Sequence, residues 1–203
     1  MLRNILPCLL SFGLLLASCK KGSTDDSPSQ TDSLGTGWSK VDIGKGNYFV
    51  DIFFFANTGF GTNEYDIFRS IDGGASWNVA QRTSLGITNI AMGNTSNAVF
   101  VSSQGGKIYY TGNGGDSFDS TTVDDSGVYD AYFVSENIAF ALGDNIWKTT
   151  DAGHSWDLVH AFSPSSGSYK TLFFADEMNG WASVGSGLFK TVDGGITWQK
   201  YTS

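Results

Sequence analysis

The chain is poor in cysteine, arginine, histidine and proline, and each shortage excludes a class of protein. Its two cysteines, Cys8 and Cys19, are too few for the several disulfides that brace small secreted domains. Arginine occurs only at positions 3, 69 and 82, and 12 basic side chains face 20 acidic ones for a formal charge of −8. Nucleic-acid binding needs clusters of basic groups to neutralise phosphates, so no nucleic-acid partner is expected. The two histidines, His154 and His160, have no companion Cys or His at zinc-site spacing. The expectation is no metal and no cofactor. Of the three prolines only Pro164 lies beyond residue 37. No stretch of about ten residues places its apolar positions at a 3.6-residue period, so long helices are not expected.

The N-terminus carries a different signal. Met1-Leu2-Arg3-Asn4 is a short cationic start, followed by an apolar run over residues 5–17 that Pro7 and Gly13 interrupt. Such a run is too short and poorly flanked to span a membrane and reads as a secretory signal. Its end, Leu16-Ala17-Ser18-Cys19, resembles the lipobox of bacterial lipoproteins. That resemblance implies removal of residues 1–18 as a signal peptide and a lipid on the sulfur of Cys19. It also implies an exported, lipid-anchored protein of the bacterial cell envelope, expected at the outer membrane. Processing removes Arg3 and no acid, leaving 11 basic and 20 acidic side chains, a charge of −9, and no internal disulfide. So acidic a chain is not drawn electrostatically to a membrane surface, and the lipid would do the anchoring. Residues 19–37 form a Ser/Asp/Gly/Thr-rich tether with Leu34 its only aliphatic residue, too polar to bury a core. As a flexible coil it reaches roughly 20–25 Å.

From Trp38 to residue 203 the pattern becomes short apolar strands separated by Gly, Asn, Asp and Ser, the all-β signature. One octapeptide recurs at 70–77, 111–118, 149–156 and 191–198. Its positions read Ser/Thr-x-Asp/Asn-Gly/Ala-Gly-x-Ser/Thr-aromatic. The conserved-type positions are Ser70, Asp72, Gly74 and Trp77; Thr111, Asn113, Gly115 and Phe118; Thr149, Asp151, Gly153 and Trp156; and Thr191, Asp193, Gly195 and Trp198. The closing aromatics are 41, 38 and 42 residues apart, a period that belongs to propellers and solenoids. Each period divides into four strands, which is one blade of a β-propeller. The most apolar strand, such as Ile52-Phe53-Phe54-Phe55 or Leu172-Phe173-Phe174, is expected to line the centre, buried on both faces. The short alternating strand after each box is expected outermost.

Turn chemistry accounts for the box. The Asp or Asn side chain is expected to accept N–H groups two residues on, the following Gly supplies positive φ, and the hydroxyls tie down remaining backbone groups. The aromatic then buries its ring between sheets. These octapeptides resemble the Asp-box (BNR) repeat of sialidases and sortilin-type receptors. The phrase Asn179-Gly180-Trp181-Ala182-Ser183-Val184-Gly185 followed by Leu188-Phe189-Lys190-Thr191-Val192-Asp193-Gly194-Gly195 is most similar to the photosystem II assembly factor (Ycf48/Hcf136-like) repeat. The resemblance spans residues 38–203 and implies an all-β propeller. About four four-stranded blades fit. Thr31 to Trp38 is a decayed box, with Ser33 where Asp belongs. Four blades either close a small ring or form an open arc whose edges need a partner; the compact closed unit is the expectation.

Function is less legible. Sialidase chemistry, implied by the family name, needs three arginines on the substrate carboxylate, and the processed chain keeps only Arg69 and Arg82. Paired-carboxylate glycosidase chemistry needs facing acids, whereas Glu64, Glu136 and Glu177 all fall in turns. The boxed aspartates are already used by their turns rather than free for calcium. Asp51 and Asp130 recur inside apolar strands, where a charge needs a partner, and are expected to cap strand starts or face a central channel; Asp124-Asp125 is a weaker acidic pair. Tyr48, Phe49, Tyr129, Tyr169 and Trp181 mark where a binding surface or core would lie. The expectation is a non-catalytic, lipid-anchored scaffold for an envelope protein or glycan, self-associating if the propeller is open. A carbohydrate-binding or hydrolysing module is the alternative.

Overall fold

A computed structural model describes residues 40–44, 47–123, 125–162 and 170–201. The signal segment, Cys19, the tether, Trp38, Asp124, Pro164 and Tyr169 lie outside these residues.

The described chain is built of β-strands in four antiparallel four-stranded sheets, each a simple meander. Blade 1 comprises β1 (Asp51–Phe55), β2 (Thr58–Thr62), β3 (Asp66–Ser70) and β4 (Asn78–Arg82). Blade 2 comprises β5 (Ile87–Met92), β6 (Ala98–Ser102), β7 (Lys107–Thr111) and β8 (Asp119–Thr122). Blade 3 comprises β9 (Asp130–Phe133), β10 (Ala139–Leu142), β11 (Asn145–Thr149) and β12 (Asp157–Ala161). Blade 4 comprises β13 (Lys170–Phe174), β14 (Gly180–Val184), β15 (Gly187–Thr191) and β16 (Gln199–Lys200). The box sits in the turn between the third and fourth strands of every blade. The fourth strand is outermost and, in blades 2 to 4, the most exposed, as its alternation implied.

The inner strand departs from expectation. It is not the buried one: β1 is exposed over Ile52–Phe55 and β13 alternates. The second strand is buried instead, along all of β6 and β10. The reason is geometric. β1 and β13 belong to the end blades, each with one neighbouring blade among the described residues, whereas β6 and β10, like the mostly buried inner strand β5, belong to middle blades packed on both faces.

Packing runs between blades. The inner strands follow one another, β1 against β5, β5 against β9 and β9 against β13. Each junction has its own apolar core. Phe60, Ile67, Ile90 and Phe100 fill the first; Val99, Val101, Ile108 and Ala141 the second; and Phe140, Ile146, Leu172 and Phe174 the third. Each fully buried large side chain stabilises the fold by roughly 1.5–3 kcal/mol. A closed ring of four blades needs four junctions, and among the described residues there are three. The expected closed unit is therefore corrected to an open arc, because β13 does not pack back onto β1 as the other inner strands pack on their neighbours.

Candidate functional site

The four boxes share one hydrogen-bond scheme. In the first, Ser70 Oγ accepts the N–H of Gly74 (2.8 Å) and donates to Asp72 Oδ1 (2.8 Å). Asp72 in turn accepts the Ser76 N–H (2.9 Å) and the Ser76 hydroxyl (2.6 Å). Thr149, Asp151 and Ser155 repeat this scheme, as do Thr191, Asp193 and Thr197. In the weaker second box the Asn113 side chain accepts the Ser117 N–H and donates to Ser117 Oγ. The expected reach of two residues is corrected. The aspartate reaches four residues ahead, and the opening hydroxyl serves the nearer N–H groups. The two residues after the Asp or Asn both hold positive φ, at 71° and 90° for Gly73 and Gly74 and at 60° and 101° for Ala152 and Gly153.

These bonds set the acidity of the boxes. The Ser76 hydroxyl and N–H, then the Ser70 hydroxyl, hold Asp72 down at about 2. The Thr197 hydroxyl and N–H, then the Thr191 hydroxyl, do the same for Asp193, also about 2. For Asp151 burial pushes upward most strongly, yet the Ser155 hydroxyl and N–H with the Thr149 hydroxyl outweigh it, and the carboxyl again lies at about 2. Carboxylates held in this way by their own turn serve the turn structurally.

A second recurring feature joins blades. Asp51 Oδ2 accepts the N–H of Ile90 in the next blade (2.7 Å), Asn89 Oδ1 accepts that of Ala131 (3.0 Å), and Asp130 Oδ2 accepts those of Leu172 (2.7 Å) and the Thr171 hydroxyl (2.8 Å). Burial first, with Asp51 adding to it, raises the Asp130 carboxyl above its ordinary value against the lowering effect of the bonds from the Leu172 N–H, the Thr171 hydroxyl and the Ala131 N–H. Each aspartate opens its inner strand and accepts the N–H of the next residue, Ile52 or Ala131 (2.9 Å each), as expected of a strand-start cap, and with its other oxygen forms a rung of an interblade ladder. The Asn89 rung was missed from sequence because an Asn in an apolar strand carries no charge to signal a partner.

The same junction carries a knob and socket. One residue of the second strand, Phe60, Val99 or Phe140, enters a socket on the next blade formed by the box glycine. Hypothetical Cβ atoms at Gly115, Gly153 and Gly195 would lie 2.8, 2.7 and 2.3 Å from those three side chains. The box aromatic completes the wall: Phe60 meets Phe118 at 6.3 Å and Phe140 meets Trp198 at 6.4 Å between ring centroids. The residues preceding the first three boxes also reach across. Arg69 pairs with Asp116 (2.5 Å), Tyr110 lies 4.6 Å from the His154 ring, and Lys148 Nζ donates to the Gly194 carbonyl (2.9 Å). Long side chains at 69, 110, 148 and 190 were visible in the sequence, but their common direction needed the register.

Between blades 2 and 3 these parts line an open groove of about 780 Å³, bordered by Asn97, Tyr110, Asn113, Asp119, Asp151 and His154 among others. Tyr110 is raised above the ordinary phenol value by burial first and then by Asp119 and Asp151, so it remains a neutral hydrogen-bond donor. His154 Nδ1 lies 2.6 Å from the Asp151 carbonyl. The groove can offer a phenol, an imidazole, amides and acidic edges to a polar, extended ligand. A smaller cleft of about 360 Å³ lies beside His160, Phe162 and Phe189. Burial lowers His160 below the usual imidazole value, and its ring lies 4.7 Å from that of Phe162. Of the aromatics marked from sequence, Tyr48 is exposed, Phe49 lies against Phe68 and Trp77, Tyr129 sits under Lys170 Nζ, and Trp181 sits under Lys190 Nζ. Among the described residues no group of three His, Cys, Asp or Glu is arranged to hold a metal ion.

No protein-family model matches the chain and no curated protein matches it. Solved structures do. An ancestral GH74 enzyme superposes with a TM-score of 0.60 at 16% identity, over 76% of this chain and 25% of that one. The GH74 enzyme of Niastella koreensis superposes with a TM-score of 0.57 at 24% identity, over 73% and 23%. YCF48 from Cyanidioschyzon merolae superposes with a TM-score of 0.55 at 18% identity, over 75% and 55%. The chain thus spans between about a quarter and about half of these proteins. At such identities the likeness establishes the fold alone, a β-propeller, and the choice of function rests on the chain's own chemistry.

Proposed function

We propose that the chain is a non-catalytic, lipid-anchored scaffold of the bacterial cell envelope that binds a protein partner. The observation carrying this reading is the employment of its acids. Asp72, Asp151 and Asp193 are consumed by their boxes and Asp51 and Asp130 by the ladder, which leaves the large groove lined for recognition rather than for proton transfer. The Leu16-Ala17-Ser18-Cys19 segment supplies the anchor in this reading, and the tether holds the blades off the membrane. YCF48 being a propeller with a structure in complex with D1 peptide fits a protein-binding use without carrying it.

The test is a crosslinked pull-down from intact envelopes with wild type, Cys19→Ala and His154→Glu. Wild type should partition into detergent and enrich a defined partner, Cys19→Ala should become aqueous, and His154→Glu should stay anchored but lose the partner. Identical aqueous behaviour of wild type and Cys19→Ala, with nothing enriched, would sink the proposal. A second reading, a glycan-binding or glycan-cleaving module, is favoured by the Tyr110–His154 pair beside Asn97 and Asp119 in that groove. Hydrolysis of xyloglucan or of any fluorogenic glycoside by the purified chain would replace the first reading with the second.

A further inference from the structure

The three junctions repeat the same parts in the same register, and the arc ends in two halves of a fourth. Strand pairing places Phe60, Val99, Phe140 and Trp181 at one position, opposite Arg69, Tyr110, Lys148 and Lys190. The first three are fully buried knobs, whereas Trp181 is half-buried and, among the described residues, its ring meets only Phe173 and Lys190 of its own blade. Two residues before the cross-reaching side chain, Ile67, Ile108 and Ile146 are 0% exposed, and Leu188 is 41% exposed. Blade 4 therefore ends in a knob face made for a socket.

Blade 1 begins with the socket. At the position where Ile90, Ala131 and Leu172 are 2–5% exposed, Ile52 is 48% exposed. Phe54 is 38% exposed where its counterpart Phe174 is 3%. Phe174 stacks on the incoming knob Phe140 at 4.4 Å. Phe54 has no incoming ring, and it leans over both Gly59 and the box glycine Gly74. The ladder is likewise open at its ends: the last rung, Thr171, stands where Asp51, Asn89 and Asp130 accept, and the Ile52 N–H is bonded only to its own Asp51.

We propose that a second copy of this chain docks head to tail, with blade 4 of one copy against blade 1 of the next. The occupant follows from continuity with the junctions already present, since a second copy supplies the half that each end lacks. Trp181 enters the socket of Gly74 and Trp77, Phe54 swings back to the place Phe174 holds, and Thr171 Oγ accepts the Ile52 N–H. Lys190 leaves its own Trp181 and donates to the Gly73 carbonyl, as Lys148 does to Gly194. A joint of this kind is heterologous, so two copies close on each other or further copies add.

Sedimentation velocity of the full chain carrying Cys19→Ala, which removes any lipid from the association, tests the proposal. Species larger than the monomer should appear at micromolar concentration. Trp181→Asp and Ile52→Asp should each weaken association at least about tenfold while keeping the wild-type circular dichroism. Leu188→Glu provides a second variant of the knob face should Trp181→Asp lose its fold. An equimolar mixture of Trp181→Asp and Ile52→Asp should recover a heterodimer, because it contains one intact knob face and one intact socket. A wild-type monomer up to about 100 µM, association indifferent to the folded variants, or a mixture that stays monomeric would each overturn it.

Discussion

An alanine at position 195 would place its Cβ 2.3 Å from Phe140 Cε1 and 2.6 Å from Cζ. Real contacts do not approach so closely, so the ring of the blade 3 knob must move out of its socket. Two costs combine. At φ 80° a Cβ costs about 1–2 kcal/mol, and displacing a fully buried phenylalanine that stacks on Phe174 is an overpacking cost of about 1–3 kcal/mol. Gly195→Ala should therefore destabilise by about 2–5 kcal/mol. Gly73→Ala is the matched control. It has φ 71° and only Asn57 Oδ1 nearby, at 3.8 Å, so it should carry the backbone cost alone, about 1–2 kcal/mol. Urea unfolding followed by tryptophan fluorescence measures both, and the expected difference is a lower midpoint for Gly195→Ala at unchanged slope. Phe140→Leu should recover part of the loss in the Gly195→Ala background, a coupling that a double-mutant cycle reads directly. Equal costs at 73 and 195, or strict additivity with Phe140→Leu, would refute the knob-and-socket account of blade packing.

Further expectations concern the ladder, the boxes and the exposed edges. Asp130→Asn should be tolerated within about 1 kcal/mol, since Asn89 makes the equivalent bond one blade earlier, whereas Asp130→Ala should cost about 1–3 kcal/mol by orphaning the Leu172 N–H; thermal unfolding of both variants checks this. The box carboxyls at about 2 lie below their unfolded value of 3.8, so their contribution is full above pH 4–5 and is lost as pH falls towards 2. An acid titration by near-ultraviolet circular dichroism should therefore show native signal disappearing in that window, and Asp72→Asn should flatten it. His160 is lowered by burial, so the folded state binds its proton less readily than the unfolded chain, and stability should fall as pH drops below about 6.5; His160→Phe should remove that slope. Phe140→Ala should cost about 3–5 kcal/mol as a buried knob, while Phe173→Ala, 55% exposed, should stay within about 1 kcal/mol in the monomer.

Much of the fold was legible because the box is local. Positive φ, hydroxyl-to-backbone bonds and an aromatic at the eighth position are all satisfied within one turn, so Ser70 to Trp77 announces itself without any distant partner. The outer strands were legible for a similar reason, as alternation records one wet face. The inner strand misled. Its run of Phe53, Phe54 and Phe55 reads as burial on both faces, yet burial belongs to the second strand, whose Gly59, Ala98, Ala139 and Gly180 look unremarkable as letters. Small residues there make room for rings arriving from the neighbouring strand or blade, and that complementarity is absent from any single segment. The candidate groove was hidden in the same way: Tyr110 and His154 are 44 positions apart and meet only because blade 3 packs on blade 2.

The sequence alone determined the blade, its four strands and the repeat that multiplies it, since these follow from turn chemistry and periodicity acting over a few residues. Only the tertiary structure decided that, among the described residues, four blades make an arc with three junctions rather than a ring with four. Closure depends on the angle at which one blade's knobs seat in the next blade's sockets. That angle is set by the sum of many side-chain contacts across each junction, so no local stretch of residues encodes it.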